Sequence, residues 1–233
     1  MWNINEVKAK AKDAFKGNYW PCVGAGAILW ALVGGSSIAN RNNGTSSEEI
    51  QNVMNGLSPE EAFAFSAAIF GGATVIFIVS LLLKIFIFNP LEVGCYLFFR
   101  KNVEETPAKF GIIKEGFNGY GHVFLTLFLR DLFLGLWFCL FIIPGLIKLY
   151  SYKMVPFIIK DNPELSATQV ITRSREMMNG HKWRAFLLDL SFIGWFLLGV
   201  ITLGIVNIFW TNPYSFNADA QLYLELKKGG QQA

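Results

Sequence analysis

The amino-acid sequence predicts an all-α integral membrane protein with six transmembrane helices, arranged as three repeats of an amphipathic surface helix and a membrane hairpin. The first basis is composition. The 233 residues are 53% hydrophobic and 16% charged and include 22 phenylalanines, which is typical of a bilayer environment and hard to reconcile with a soluble domain. The second basis is a glycine that recurs at the foot of three apolar stretches, as Gly17, Gly119 and Gly180.

The stretches around these glycines also resemble one another. A set of residues between Phe128 and Asp161 recurs 58 positions later, which pairs Asp131 with Asp189. The first unit matches more thinly, through Asn89-Pro90 against Asn212-Pro213. We therefore predict one membrane domain over 1–233, with repeats at 1–103, 104–161 and 162–228 and a tail at 229–233.

Apolar length predicts where the six spans lie, because about 20 residues of helix cross the hydrocarbon core. The first four are expected at 20–38, at 62–88, at 122–143 and, after a break at Pro144-Gly145, up to 159. The fifth starts near Arg184. A turn near Thr202-Leu203-Gly204 leads to a sixth that ends near Pro213. One long helix over 184–210 is the alternative, and it would put the C-terminus on the opposite side.

Charge predicts the orientation of these spans, since lysine and arginine in short loops stay on the cytoplasmic side. With the N-terminus inside, the predicted cytoplasmic segments hold 16 of the 20 basic residues, whereas the outer loop 39–61 holds only Arg41. Both termini are therefore predicted to be cytoplasmic. The basic surface helices are expected to attract anionic lipid. Alternatively, they only set the depth of the spans or dock a partner protein.

Small residues form a stripe at helical spacing in each of the first two predicted spans, where close approach of two backbones is favourable in lipid. We expect the two stripes to pack against each other, although chance in spans rich in alanine and glycine is the competing explanation. The two stripes are Ala27, Ala31 and Gly35, and Ala64, Ala68 and Gly72.

Three ionisable residues are predicted at membrane depth, where such groups are rare and face protein or water. They are Arg130, Asp131 and Asp189. A structural network, a proton or ion relay and a catalytic carboxylate are the open alternatives. Adjacent helical residues diverge by ~100°, so we expect Arg130 to contact Asp189 rather than Asp131. Lys84 and Lys148 are expected to anchor span ends by snorkelling.

Catalytic and metal-binding patterns are missing from the sequence. The chain has no H-E-x-x-H motif, phosphate loop or nucleophile elbow, and its three cysteines, Cys22, Cys95 and Cys139, form no C-x-x-C pair. We therefore expect no cofactor, no metal, no nucleic-acid partner and no enzymatic activity.

Short motifs are spread along most of the chain. They are Gly17-Asn18-Tyr19-Trp20, Pro90-Leu91 with Gly94, Ile143-Pro144-Gly145, 174–182, Phe192-Ile193-Gly194-Trp195 and Pro213-Tyr214. Together they resemble a bacterial integral membrane family, domain of unknown function 975. The resemblance implies a plasma-membrane protein and brings no established activity. We expect a non-enzymatic accessory or scaffold component that interacts with lipid or a membrane protein; the alternative is a small transporter or channel whose site lies at the repeat interface.

Overall fold

The computed structural model describes residues 2–33 and 47–231, and the regular elements in these ranges are helices. The N-terminal part forms α1 (Ile4–Gly17), α2 (Tyr19–Val33), α3 (Ser47–Asn55), α4 (Pro59–Leu83) and α5 (Asn89–Glu104). A 3-10 helix, Phe110–Phe117, precedes α6 (Tyr120–Leu140), α7 (Ile142–Ser151) and α8 (Val155–Asp161). The C-terminal part forms α9 (Ala167–Met177), α10 (Lys182–Leu190), α11 (Ile193–Ile201) and α12 (Asn212–Gln231).

Helix length and apolarity make this chain a membrane protein. Within the described ranges, four helical segments can cross a bilayer: Pro59–Glu104, Tyr120–Leu140, Ile142–Asp161 and Lys182–Ile201. A shorter apolar helix covers Tyr19–Leu32, and the predicted remainder of the first span, with Gly35, lies outside the described residues. The organisation into six spans and three repeats stays a prediction.

The second predicted span does not end at Phe88, and Pro90 does not mark a turn. Instead α4 continues through a π-helical segment, Lys84–Phe88, directly into α5. Proline lacks the N–H that would bond to the preceding turn, and a locally widened helix accommodates that loss without a break. The same arrangement precedes Pro213, where a π-helical segment, Asn207–Thr211, leads into α12.

Backbone breaks separate the other segments close to their predicted positions. Gly119 and Gly180 have positive φ values of 66° and 76°, which glycine adopts without steric cost, whereas Gly17 is the last residue of α1. Leu203 and Gly204 also have positive φ, at the predicted turn before α12. The break between α6 and α7 comes at Phe141, three residues before Pro144, and Gly145 then packs closely on the ring of Phe138.

Buried side chains concentrate in one region, which we call the inner core. It is built mainly from α1, α2, α5, α8 and α12, and its largest fully buried side chains include Phe15, Phe98, Phe99, Phe157 and Tyr223. By contrast, the 25 residues of α4 contain no buried side chain. The outer apolar surface, meaning α4 with the exposed faces of α6, α7 and α11, is the part that lipid must cover.

Among the residues that the structure describes, the two predicted small-residue stripes do not meet. Ala64, Ala68 and Gly72 lie on α4, which buries none of its residues, and a Cβ at Gly72 would have no neighbour within 4 Å. The reason lies in α2, which turns a different face inward. Its Gly26 packs against Pro213 of α12, so that a Cβ added to Gly26 would lie 3.2 Å from the Pro213 nitrogen. Ala31, by contrast, is exposed.

Candidate functional site

A half-open cavity of about 340 Å³ lies between α5, α6, α8, α10 and α12, beside the link from α7 to α8. Each of the three predicted repeats contributes to its lining. The ionisable residues that line it include four acids and two bases: Glu92, Asp131, Asp189 and Asp219, with Arg130 and Lys153. The predicted intramembrane residues Arg130, Asp131 and Asp189 are thus brought together around one space.

The first half of the cavity wall is a chain of ion pairs centred on Arg130. Its guanidinium donates to Glu92 Oε1 at 2.9 Å and to Asp131 Oδ1 at 2.8 Å. Lys84 Nζ then lies 3.0 Å from Asp131 Oδ2. The expectation that Arg130 and Asp131 would not pair is wrong, because the long arginine side chain folds back along its own helix far enough to reach its neighbour.

The second half is centred on Lys153, in the link between α7 and α8. Its ammonium lies 2.7 Å from Asp189 Oδ1 on α10 and 2.8 Å from Asp219 Oδ1 on α12. The hydroxyl of Tyr150 donates to Asp189 Oδ2 at 3.0 Å. The predicted direct contact between Arg130 and Asp189 is therefore wrong: each residue has nearer partners, and the cavity lies beside both.

The cavity keeps unused acceptor capacity after these contacts. Arg130 and Lys153 each pair with two carboxylates, yet Glu92 Oε2 and Asp219 Oδ2 have no hydrogen-bond partner in the described part of the chain. Asp219 belongs to α12, outside the four long apolar segments. Burial raises the pKa of its carboxyl from 3.8 to about 6, which the nearby ammonium of Lys153 only partly opposes.

Apolar side chains surround this charged lining. Leu134 and Leu149 belong to the wall itself. Leu149 is also 45% exposed, and the exposed Phe186 of α10 lies with its ring 6.1 Å from that of Tyr150 in the cavity wall. Both residues belong to segments long and apolar enough to cross a membrane, so apolar surface that lipid can cover adjoins the charged lining.

The sequence did not identify Glu92, Lys153 or Asp219 as site residues. Glu92 was missed because the predicted span ended at Phe88, which put it in a cytoplasmic segment, and Lys153 was counted among the cytoplasmic charges. A usable signal existed for Asp219, which lies 58 residues after Asp161 just as Asp189 lies 58 residues after Asp131. The shared offset of 58 residues pairs Asp219 with Asp161 in the same way as it pairs Asp189 with Asp131, and so it marked Asp219 as a further repeated carboxylate.

Two other polar clusters lie within the inner core. Asp161, the counterpart of Asp219, is 4% exposed and pairs with Arg100 and with Lys227. A second cluster joins three buried amide side chains by hydrogen bonds of 2.7 and 3.1 Å. Its members are Asn18, Asn102 and Asn217. These contacts pair most of the buried polar groups with one another, although Arg100 Nε has no hydrogen-bond partner in the described part of the chain, and they join α5, α8 and α12.

Metal-ligating side chains are scattered in the part of the chain that the structure covers, where no group of three His, Cys, Asp or Glu has the geometry to hold a metal. The thiols of Cys22 and Cys95 are buried and that of Cys139 is exposed. His122 Nε2 lies 2.7 Å from the carbonyl oxygen of Leu165, and His181 Nδ1 accepts from the Trp2 indole at 3.3 Å.

A family model described as "Protein of unknown function (DUF975)" matches residues 138–229, from the end of α6 through most of α12. The chain carries a DUF975 segment. The resemblance predicted from the sequence is thereby confirmed over that range. The DUF975 segment supplies Lys153, Asp189 and Asp219, whereas Glu92, Arg130 and Asp131 precede it. No curated protein and no solved structure matches the chain.

Proposed function

We propose that this chain is a multi-pass protein of the bacterial cell membrane that acts without covalent chemistry, as an accessory component that binds lipid in its charged cavity. The observation that carries this proposal is the position of the cavity. Its charged lining lies beside exposed leucine and phenylalanine side chains of helices that can cross a bilayer. A ligand that fits both environments has a polar head and an apolar tail, which describes a lipid.

The orientation that we propose has six spans in three repeats and both termini in the cytoplasm. Its support is the concentration of basic residues on one predicted side and the backbone break at Leu203 and Gly204, which permits a sixth span. Single cysteines at Ser47 and at Gln232, in a Cys139→Ser background, test it with an impermeant thiol reagent on intact cells. Labelling at Ser47 alone is expected, while labelling at Gln232 would contradict the third hairpin.

The basic surface helices support a second contact, with anionic lipid at the cytoplasmic face. Lys12 and Lys16 on α1, and Lys109 and Lys114 around the 3-10 helix, are exposed. Each lysine near an anionic membrane surface contributes ~1 kcal/mol. A membrane-protein partner that docks on these helices is compatible with the same positions.

Cavity filling tests the lipid proposal. Leu134 lines the cavity on α6, whereas Leu136 on the same helix is 54% exposed and lies outside it. We expect native mass spectrometry of detergent-purified protein to detect retained lipid in the wild type and in Leu136→Trp, and little in Leu134→Trp. Equal retention in a folded Leu134→Trp variant would reject the cavity as the lipid site.

A transporter or channel is the second candidate, favoured by the contribution of all three predicted repeats to one cavity, since repeat interfaces commonly hold transport sites. Proteoliposomes distinguish the two candidates. A cation or proton flux that requires Asp189, in a variant that still folds, would replace the accessory reading with the transporter reading.

A further inference from the structure

We propose that the cavity recognises the ammonium group of an amphiphile, a lipid amine or quaternary ammonium head, and that Glu92 and Asp219 accept it. This inference rests on the proposed function and adds the chemical class of the ligand. Both carboxylates present an oxygen without a protein partner in the described residues, and they approach the cavity from different helices, α5 and α12.

Charge balance is the first step of the argument. The cavity lining holds four carboxylates against two bases, and counting Lys84 at the edge still leaves the acids one ahead. Charges removed from water are costly unless they are paired, so a ligand with one positive charge completes this lining. An anionic head would add a fifth negative charge and would be repelled.

Aromatic side chains supply the second step. Tyr96, Tyr150 and Tyr152 line the same space, and ring faces attract ammonium groups through their quadrupole. The cavity already contains an example of such a contact, because Lys153 Nζ lies 5.7 Å from the centre of the Tyr150 ring. Tyr96 belongs to this lining, and its hydroxyl makes no hydrogen bond within the described ranges.

Size and surroundings supply the third step. Pockets that enclose whole drug-sized ligands have volumes of ~300–1,000 Å³, and at about 340 Å³ this cavity is at the lower end of that range. It therefore accommodates a head group and the first atoms of a chain. The exposed apolar side chains of Leu149 and Leu190 then provide the surface along which a hydrocarbon tail can lie.

The test uses the full-length protein in detergent with four lipids that share the same acyl chains. Their heads are trimethylammonium, phosphoethanolamine, phosphoglycerol and the uncharged hydroxyl of diacylglycerol. We expect native mass spectrometry to show that the trimethylammonium lipid is retained at least tenfold better than the phosphoglycerol lipid and diacylglycerol, and that phosphoethanolamine, whose phosphate offsets the charge of its ammonium, lies between them. The double variant Glu92→Gln with Asp219→Asn should lose that preference, and Glu105→Gln, at the exposed end of α5, should keep it.

Each outcome has a distinct meaning. Equal retention of all four lipids, or a preference for phosphoglycerol, would overturn the ammonium assignment and leave the lipid-binding function standing. If the wild-type protein retains none of the four lipids, both the ammonium assignment and the lipid-binding function are rejected. Soluble tetramethylammonium forms the last arm: if it stabilises the protein as much as the trimethylammonium lipid does, the ammonium chemistry holds and the lipid source is overturned.

Discussion

The two halves of one continuous helix differ in what surrounds them. In α4, Pro59–Leu83, no side chain is buried, whereas α5, Asn89–Glu104, buries ten residues. Both halves carry phenylalanines, but α4 is apolar over most of its length, whereas α5 also holds charged and amide side chains. The more apolar half is therefore the one left for lipid to cover, and the half that carries polar groups packs against protein.

The cavity lies at the border between these two regions. Lys84, in the π-helical segment, reaches it from the outer side, while Glu92 reaches it from the first turn of α5. Inner-core packing on one side can thus hold the charged groups in place, and the outer apolar surface on the other side leaves room for a lipid.

The largest expected effect comes from truncating phenylalanines in the two halves. Phe98 of α5 is fully buried, while Phe77 of α4 is 67% exposed. Phe98→Ala should lower the free energy of unfolding by ~3–5 kcal/mol because it leaves a cavity in the core. Phe77→Ala should cost less than ~0.5 kcal/mol. Thermal unfolding in detergent measures both, and similar losses would show that α4 packs against protein after all.

Double-mutant cycles test which carboxylates in the cavity wall pair with Arg130. Arg130 and Glu92 side chains are only 13% and 12% exposed, so Arg130→Met should cost ~3 kcal/mol by leaving carboxylates unpaired. Adding Glu92→Gln should recover part of the loss. Adding Asp189→Asn should be additive, because Arg130 and Asp189 are not partners. Coupling of Arg130 to Asp189 instead would contradict the two separate ion-pair centres.

Glycine substitutions compare the halves at the level of the backbone. A Cβ on Gly94 of α5 would collide with the carbonyl oxygen of Ile113, so Gly94→Ala should destabilise by ~2–3 kcal/mol. Gly72 of α4 has open space around it, and Gly72→Ala should stabilise its helix by ~0.5–1 kcal/mol. The two substitutions should shift the thermal unfolding midpoint in opposite directions. A large decrease of the midpoint in Gly72→Ala would instead reveal a close neighbour of Gly72.

A change of pH should alter stability by less than the inner-core and Arg130 substitutions do. Burial raises the pKa of Asp219 to about 6, while Lys153 opposes the shift and Asp189 reinforces it; Tyr96 and Tyr150 line the same cavity. The folded chain keeps this proton at pH values where the unfolded chain has lost it. Stability should therefore fall by ~1–2 kcal/mol as the pH rises from about 4 to 6. Asp219→Asn should abolish that part of the profile; an unchanged profile would assign it to another group.

Much of the fold was accessible from the sequence because its signals are local. Apolar length predicts the long helices, and glycine at a helix end predicts the positive φ of Gly119 and Gly180. The helix continuing past Pro90 was not predictable from a local rule, since a proline usually ends a helix and only the π-helical widening avoids this. That one error removed Glu92 from the predicted site.

The site was predicted only in part because its geometry depends on contacts between distant segments. Asp131 and Asp189 were identified by their rarity at membrane depth, and both line the cavity. Their partners were not, because a lysine such as Lys153 reads as an ordinary cytoplasmic charge until the packing of α8 against α12 buries it between two carboxylates.

If the charged cavity is a binding site and does more than stabilise the fold, then Asp189→Asn tests this most directly. The Asp189 side chain is 40% exposed, and Lys153 keeps Asp219 as its partner without it, so the fold should remain. Without the Asp189 carboxylate, the cavity lining keeps three acids, and they are balanced by three bases when Lys84 at the edge is counted. We predict a thermal midpoint within about 2 °C of the wild type, as for a change of under ~1 kcal/mol, with at least a tenfold loss in retention of the trimethylammonium lipid. A strongly destabilised variant that still retains the lipid would contradict the claim.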